Sequence, residues 1–267
     1  MKPLKIFTAD SFTDAAFKGN PAGVCITEDA LPEKTMQQIA MEMGLSETAF
    51  VTPSNGHYSI RYFSPQKEIA LCGHATLAAA KIINAKNGCE AVTFITGAGV
   101  TLHTVIRQNE ISMQFPVYDA EPAEAPAPML QALGIKNVIA TKYSPNNKII
   151  MIEIPDAENL SSLQPDFTAL LNSHSGINGV LVTAAASGEY DYEYRYFWPW
   201  AGTNEDPVTG GVQTFLAKYW SEKLNKSNMR AFQSSARTGK MNVALKNNSV
   251  TISGQAVIML EGNLLNY

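Results

Sequence analysis

Glu47 lies in Leu45-Ser46-Glu47-Thr48-Ala49-Phe50-Val51, at the start of a strand-like run with apolar residues on either side. A carboxyl at the edge of an apolar pocket has its pKa raised, so it can give as well as take a proton near neutral pH. The plainer alternative is a solvated glutamate at a strand end. His74, in Cys72-Gly73-His74, opens a run of small apolar residues and could donate to a developing charge or shuttle a proton; otherwise it is a hydrogen-bonding residue at a helix start. Asp206, in TNEDPVTGG, precedes Pro207 and a second helix, where its ordinary role is that of an N-cap. Gly73, Gly210 and Gly211 let a ligand approach the backbone closely. Asn20, in Lys18-Gly19-Asn20-Pro21, could orient a polar group, although Asn-Pro turns need no function to explain them. Two glycine-led helix starts could together grip a carboxylate and stabilise the enolate-like charge left when a proton departs from an adjacent carbon.

The elements that must carry these residues follow from periodicity. LKIFTAD and VCIT alternate as strands around a turn-rich loop, and LPEKTMQQIAMEMGL has Met36, Ile39, Ala40 and Met43 at helical spacing, with Gly44 as its stop. ETAFVTP and HYSIRYF read as strands joined at Ser54-Asn55-Gly56. The helix opening at Cys72-Gly73 is apolar around nearly its whole circumference, the mark of a helix enclosed by sheet. AVTFIT, VTLHTVIR and ISMQF continue as a meander, and the proline-rich stretch at residues 116 to 128 reads as a linker.

After the linker the pattern starts again. NVIATKY and KIIMIEI are strands, Phe167, Leu170 and Leu171 mark a short helix, and GINGVLVT is a glycine-led strand like GLSETAFV. IRYFSP at 60–65 matches YRYFWP at 194–199: Arg195 follows Arg61 by 134 residues (195 − 61), as Pro199 follows Pro65. Each copy leads through a glycine into a helix and then strands, ending in RAFQSS, MNVAL, SVTIS and AVIML. The recurring order predicts a duplicated α+β chain with domains at 1–116 and 117–267, the last strand free to return to the first domain. Two such halves would set two helix starts across an interface from one another, a usual place for a small-molecule pocket.

Composition narrows the partners. The 267 residues carry a net charge of −4 without any basic run, which argues against nucleic acid. No apolar segment is long enough for a bilayer, and the N-terminus lacks a secretory signal, so a cytoplasmic protein is expected. Cys25, Cys72 and Cys89, and the four histidines, show neither disulfide nor metal-ligand spacing; no metal is expected, and Cys72 reads as a small buried hydrophobe.

DSFTDAAFKGNPAGV, MQQIAMEMGLSETAFV, IRYFSPQKEIALCGHATLAAA and DPVTGG, in this order, resemble the phenazine-biosynthesis PhzF-like family. The resemblance implies two pseudo-symmetric diaminopimelate-epimerase-like domains, each a mixed, mostly antiparallel barrel-like sheet around a central helix, usually paired as a homodimer and working without a cofactor. It implies an isomerase that moves a proton on a small carboxylate-bearing metabolite. Glu47 matches the family's proton-transferring glutamate, His74 and Asp206 its supporting polar residues, and Gly73 and Gly210 its backbone contacts to ligand. The pattern departs after DPVTG, where Gly211, Val212 and Gln213 replace the usual Ser-Ala-His. Two other readings stay open: a catalytically idle ligand-binding protein, and an amino-acid racemase or epimerase using two thiols. Against the latter, Thr209 stands where the second thiol would be.

Overall fold

The computed structural model describes residues 3–267; Met1 and Lys2, which open the stretch read as lacking a secretory signal, lie outside it. The chain divides into two compact units, Met1–Gln114 with Ile252–Tyr267, and Phe115–Thr251.

In the first unit β1 (Leu4–Ser11) pairs antiparallel with β2 (Asn20–Ile26). Helix α1 (Glu33–Met43) buries Met36, Ile39 and Ala40 and ends at Gly44, whose φ of 61° suits a residue without a Cβ. Strand β3 (Glu47–Ser54) runs parallel to β2 and turns through Asn55-Gly56 into β4 (His57–Phe63). The two-residue strand β5 (Glu68–Ile69) leads to α2 (Gly73–Asn87), and β6 (Ala91–Thr96), β7 (Thr101–Arg107) and β8 (Glu110–Pro116) follow. β6 lies parallel to β4, while β7 is antiparallel to both β6 and β8.

Every α2 residue from His74 to Ala80 is buried, with Ile82 and Ile83, against β1, β2, β3, β6 and β7. The small side chains let those strands approach the helix from several sides. Strand alternation sends the opposite set outward, where Leu4, Ile6, Cys25, Phe50 and Phe63 pack beneath α1.

The second unit repeats this plan. It holds β9 (Glu121–Pro122), α3 (Ala127–Leu133), β10 (Ala140–Ser144), β11 (Ile149–Glu153), α4 (Ala157–Ser162), α5 (Phe167–Ser173) and β12 (Gly179–Ala185). There follow β13 (Tyr192–Trp198), β14 (Thr203–Glu205), α6 (Gln213–Leu224), β15 (Asn228–Gln233), β16 (Gly239–Lys246) and β17 (Ser249–Gly254). β11 and β12 are parallel like β2 and β3, and β13 pairs antiparallel with β12 and β14 but parallel with β15, as β4 does with β3, β5 and β6. Helices α3 to α5 cover Ile150, Ile152, Val180, Val182 and Phe197 on one face. On α6, Trp220 donates from Nε1 to Thr183 Oγ1 at 3.0 Å and stacks on Tyr192.

The stretch at 116–128 is more than a linker. Glu121 and Pro122 pair with Tyr143 and Lys142 of β10, and α3 begins at Ala127, its Pro128 tolerated in the first turn where the missing N–H is not needed. Strand β18 (Ala256–Leu264) returns to β1, from Leu4 opposite Leu264 to Ser11 opposite Ala256. Among the described residues no helix is long and apolar enough to cross a membrane.

The repeated RYF tripeptide makes the same arginine–glutamate fork in its two copies. Arg61 places Nε and Nη2 on the two carboxylate oxygens of Glu68, at 2.7 and 2.6 Å, and stacks over Phe63. Arg195 does the same with Glu205, at 2.7 and 2.8 Å, and stacks over Phe197. Both glutamates sit on the short strand before the unit's central helix, β5 and β14, so each fork ties that strand to its neighbour.

Candidate active site

Four side chains meet where β1, β2, β3 and the start of α2 come together. Gly19 has φ +68°, and a Cβ there would stand 2.2 Å from the Ser11 carbonyl oxygen, so only glycine brings the loop round to Asn20 at the head of β2. The parallel pairing of Ala22 with Glu47 then sets the head of β3 beside it. Cys72 occupies the N-cap of α2 in extended conformation, without a side-chain cap on the helix, and its carbonyl accepts from Thr76 N and Thr76 Oγ1 at 3.1 and 2.7 Å. His74 follows in the first turn, its carbonyl accepting from Ser11 Oγ at 2.7 Å.

Glu47, Cys72, His74 and Asn20 are all buried. Glu47 Oε2 lies 3.2 Å from His74 Nε2, and the Cys72 thiol donates to the same oxygen at 3.7 Å. Asn20 Nδ2 is 3.4 Å and Cys72 Sγ 3.3 Å from His74 Nδ1. Burial pushes the His74 imidazole down to about 4, so the ring is neutral at neutral pH. With the Asn20 amide donating to Nδ1, the tautomer assigned by the network carries its proton on Nε2, which points it at Glu47. Glu47 therefore faces two donors on one oxygen, at the uncapped end of a buried helix.

Cys72 is not merely a small hydrophobe, since its sulfur touches both Glu47 and His74. The reading from sequence missed it because burial alone looks the same for an inert thiol and an engaged one. The spacing Cys-x-His around a helix start was the available signal; for Ser11 there was none.

In the second unit Asp206 is buried but does not cap α6, which begins seven residues later with Val212 at its N-cap. Instead Asp206 Oδ2 accepts from Thr209 Oγ1 at 2.5 Å. Gln233 clamps this loop, accepting from Thr209 N at 2.7 Å and donating to the Asp206 carbonyl at 2.6 Å. Pro207 removes a backbone donor and favours an extended residue before it, so the chain turns here rather than entering the helix directly. Gly210 and Gly211 accept from Gln213 N and Thr214 N at 3.1 and 3.3 Å, forming the tight turn that starts α6. A Cβ at Gly211 would meet nothing within 4 Å. Gln213 turns inward, its Oε1 accepting from Tyr192 OH at 2.6 Å.

The repeat explains why one carboxylate stands alone. Thr48 pairs with Phe63, and Val180 with Phe197, which is Phe63 advanced by the repeat interval. Gly179 therefore holds in the second unit the place that Glu47 holds in the first. A Cβ at Gly179 would come within 2.6 Å of the Tyr196 ring and hydroxyl, which occupy the space a glutamate side chain would need.

Two sheet-wrapped helices built on one repeated pairing scheme define the diaminopimelate-epimerase-like class of fold. A probable proline racemase of Agrobacterium radiobacter shares that fold, with a TM-score of 0.63 at 10% identity over 98% of this chain and 93% of the other. The phenazine biosynthesis-like protein family model matches residues 9–262, and the chain belongs to that family. It is 39% identical to an uncharacterized isomerase of Halalkalibacterium halodurans, covering 99% of this chain and 100% of the relative. The crystal structure of a PhzF-family phenazine biosynthesis protein from Enterococcus faecalis superposes with a TM-score of 0.92 at 33% identity, covering 99% of this chain and 100% of that one.

Proposed function

We propose that this chain is an isomerase that moves a proton between carbons of a small carboxylate-bearing metabolite, with Glu47 as its acid/base and no cofactor. The observation that carries the reading is the buried Glu47 carboxylate, 3.2 Å from His74 Nε2 at the N-terminus of an enclosed helix. Glu47 takes a proton from a carbon lying between the substrate carboxylate and a C=C bond, the electron pair spreads over both as a dienolate, and the proton returns at the far carbon of that double bond, which shifts by one position. Backbone N–H groups at the start of α2, Gly73 included, suit the developing negative charge. His74 holds Glu47 in place through Nε2 and is itself steadied by Asn20. Through the family resemblance Asp206 enters as a supporting polar residue of catalysis and Gly210 as a backbone contact to the ligand, as does assembly into a homodimer, while Gly211 enters as a glycine that lets a ligand approach the backbone closely. The isomerase name borne by the Halalkalibacterium halodurans relative supports this class of reaction.

A two-thiol racemase fits less well. Thr209 is a hydroxyl engaged with Asp206, and a hydroxyl is hardly acidic at neutral pH. A ligand-binding protein without turnover remains the second reading, favoured by Gln213, whose amide is turned to Tyr192.

The test is solvent exchange. Unsaturated cyclic amino acids and α-amino acids are incubated with the protein in deuterated buffer, and Glu47→Gln is expected to cut deuterium entry by about 10²- to 10⁴-fold while leaving binding largely intact. Full exchange by Glu47→Gln would remove Glu47 from the mechanism. A ligand that raises the melting temperature but never exchanges a proton would favour the second reading.

A further inference from the structure

Both ends of the hairpin loop between β1 and β2 rest on His74. Ser11 pairs with Asn20 across its base; the Ser11 hydroxyl donates to the His74 carbonyl at 2.7 Å, and the Asn20 amide lies 3.4 Å from His74 Nδ1. Residues 12–19 between them are bent by three left-handed positions, Phe12 at φ 63°, Phe17 at 65° and Gly19 at 68°. Glycine takes that conformation freely, whereas a bulky residue such as phenylalanine is strained in it. Burial offsets the strain at Phe12, whose ring fills the space beside Gly254, where a Cβ would stand 2.7 Å from Phe12 Cδ1. No such gain reaches Phe17, which is 75% exposed.

The strained turn is firmly held. The Phe17 N–H donates to Asp10 Oδ2 at 3.1 Å, Thr13 Oγ1 bridges the N–H and the carbonyl of Ala15 at 3.0 and 3.1 Å, and the Thr13 N–H donates to the Gln255 carbonyl at 3.2 Å. Strained backbone persists where its surroundings over-determine it, and it clusters at ligand clamps. Phe17 is three residues from Asn20, so their Cα atoms lie within about 11 Å of each other whatever path the chain takes. A second exposed apolar side chain, Leu71, immediately precedes Cys72 on the other segment that builds the site.

We propose that Phe17 is a specificity-determining residue, a preset apolar wall against the carbon skeleton of a carboxylate bound at the start of α2, and that it selects skeletons with a broad apolar or aromatic end. Binding covers the ring, so the hydrophobic gain missing in the free chain appears in the complex. A ring fixed in advance loses little freedom when it is covered. The position of the carboxylate rests on the isomerase reading, whereas the preference for an apolar end requires no turnover.

Styrylacetate and vinylacetate are the probes. Each has a methylene group between a carboxylate and a C=C bond, as the proposed reaction requires, and they differ only in a terminal phenyl group. Calorimetric titration of wild-type protein is expected to favour styrylacetate by about tenfold or more. Phe17→Asn, which supplies a residue tolerant of the left-handed region, is expected to bring that ratio to within about twofold, and Phe17→Trp to restore it. Met41→Asn, which removes an exposed side chain of α1, is expected to leave the ratio as it is. The melting temperature of Phe17→Asn is expected to equal or exceed that of wild type, because the variant sheds strain and gives up little buried surface. A fall of several degrees would make Phe17 a structural residue and overturn the proposal. So would wild-type protein that binds both probes equally or binds neither, or a ratio that survives Phe17→Asn. A dimer that dissociates in Phe17→Asn, read by sedimentation, would assign the ring to a second copy of the chain instead. Selective binding without deuterium entry into either probe would leave the wall standing and count against Glu47 as the base.

Discussion

At the scale of single residues, the first unit concentrates its unusual chemistry in one imidazole. His74 is neutral because burial disfavours its charged form, whereas in the unfolded chain it titrates at the ordinary value of 6.5. Between pH 6.5 and about 4 the unfolded state binds a proton that the folded state does not, so stability is fully present above that window and lost as pH falls through it. The loss is on the order of 3 kcal/mol. Urea unfolding from pH 7.5 down to 4.5 is expected to show this slope in wild-type protein and a shallower one in His74→Gln, which has no proton to gain. Parallel slopes would mean that other groups carry the acid sensitivity. Glu47, His74 and Asn20 could be picked out from sequence because each flanks a glycine or opens an element. Their convergence could not, since it depends on the parallel register of β2 and β3 and on a loop closed at Gly19. Asp206 was misplaced as an N-cap for the reverse reason: Pro207 and the glycines look like a helix entry, and only the Gln233 clamp reveals a loop with its own hydrogen bonds.

At the scale of elements, the duplication was legible because a local tripeptide and the order of strands both recur. What the repeat hides is how differently the copies are buried. The Arg195 side chain is 8% exposed and also donates to the carbonyls of Leu160 and Leu163 at 3.3 and 2.8 Å, closing the end of α4. The Arg61 side chain, at 28% exposed, is shared between Glu68 and Glu33 near the surface. Arg195→Met strands Glu205 and those carbonyls, and is expected to cost about 3–5 kcal/mol. Arg61→Met removes a solvated pair and is expected to cost about 1 kcal/mol. Denaturant midpoints of the two variants test the contrast, and equal losses would mean that the fork alone, not its burial, sets the energy. The short helix α4 and the pairing of Glu121 and Pro122 were invisible for a related reason: both are too short for a periodic signal and are held by the sheet beside them.

At the scale of the whole molecule, the two units differ in how the chain supplies them. The second is one continuous stretch, Phe115–Thr251, while the first needs both ends of the chain. β18 lies along the full length of β1, and β1 carries Ser11, which holds the His74 carbonyl, and feeds the loop that delivers Asn20. The site is thus closed by residues more than 180 positions away in sequence, which no local pattern encodes. Removing everything after Gly254 leaves β1 with an unpaired edge and exposes its buried face, including Phe7 and Ala9. Hydrogen exchange by mass spectrometry on this truncated chain is expected to show lost amide protection across β1 to β4 and the start of α2, with β11 to β16 still protected. The opposite outcome, wild-type protection in β1 to β4, would mean that β2 alone can hold β1 and that the candidate site assembles without the returning strand. Protection lost evenly through both units would instead show that the second unit cannot hold its fold without the first, despite its continuous chain.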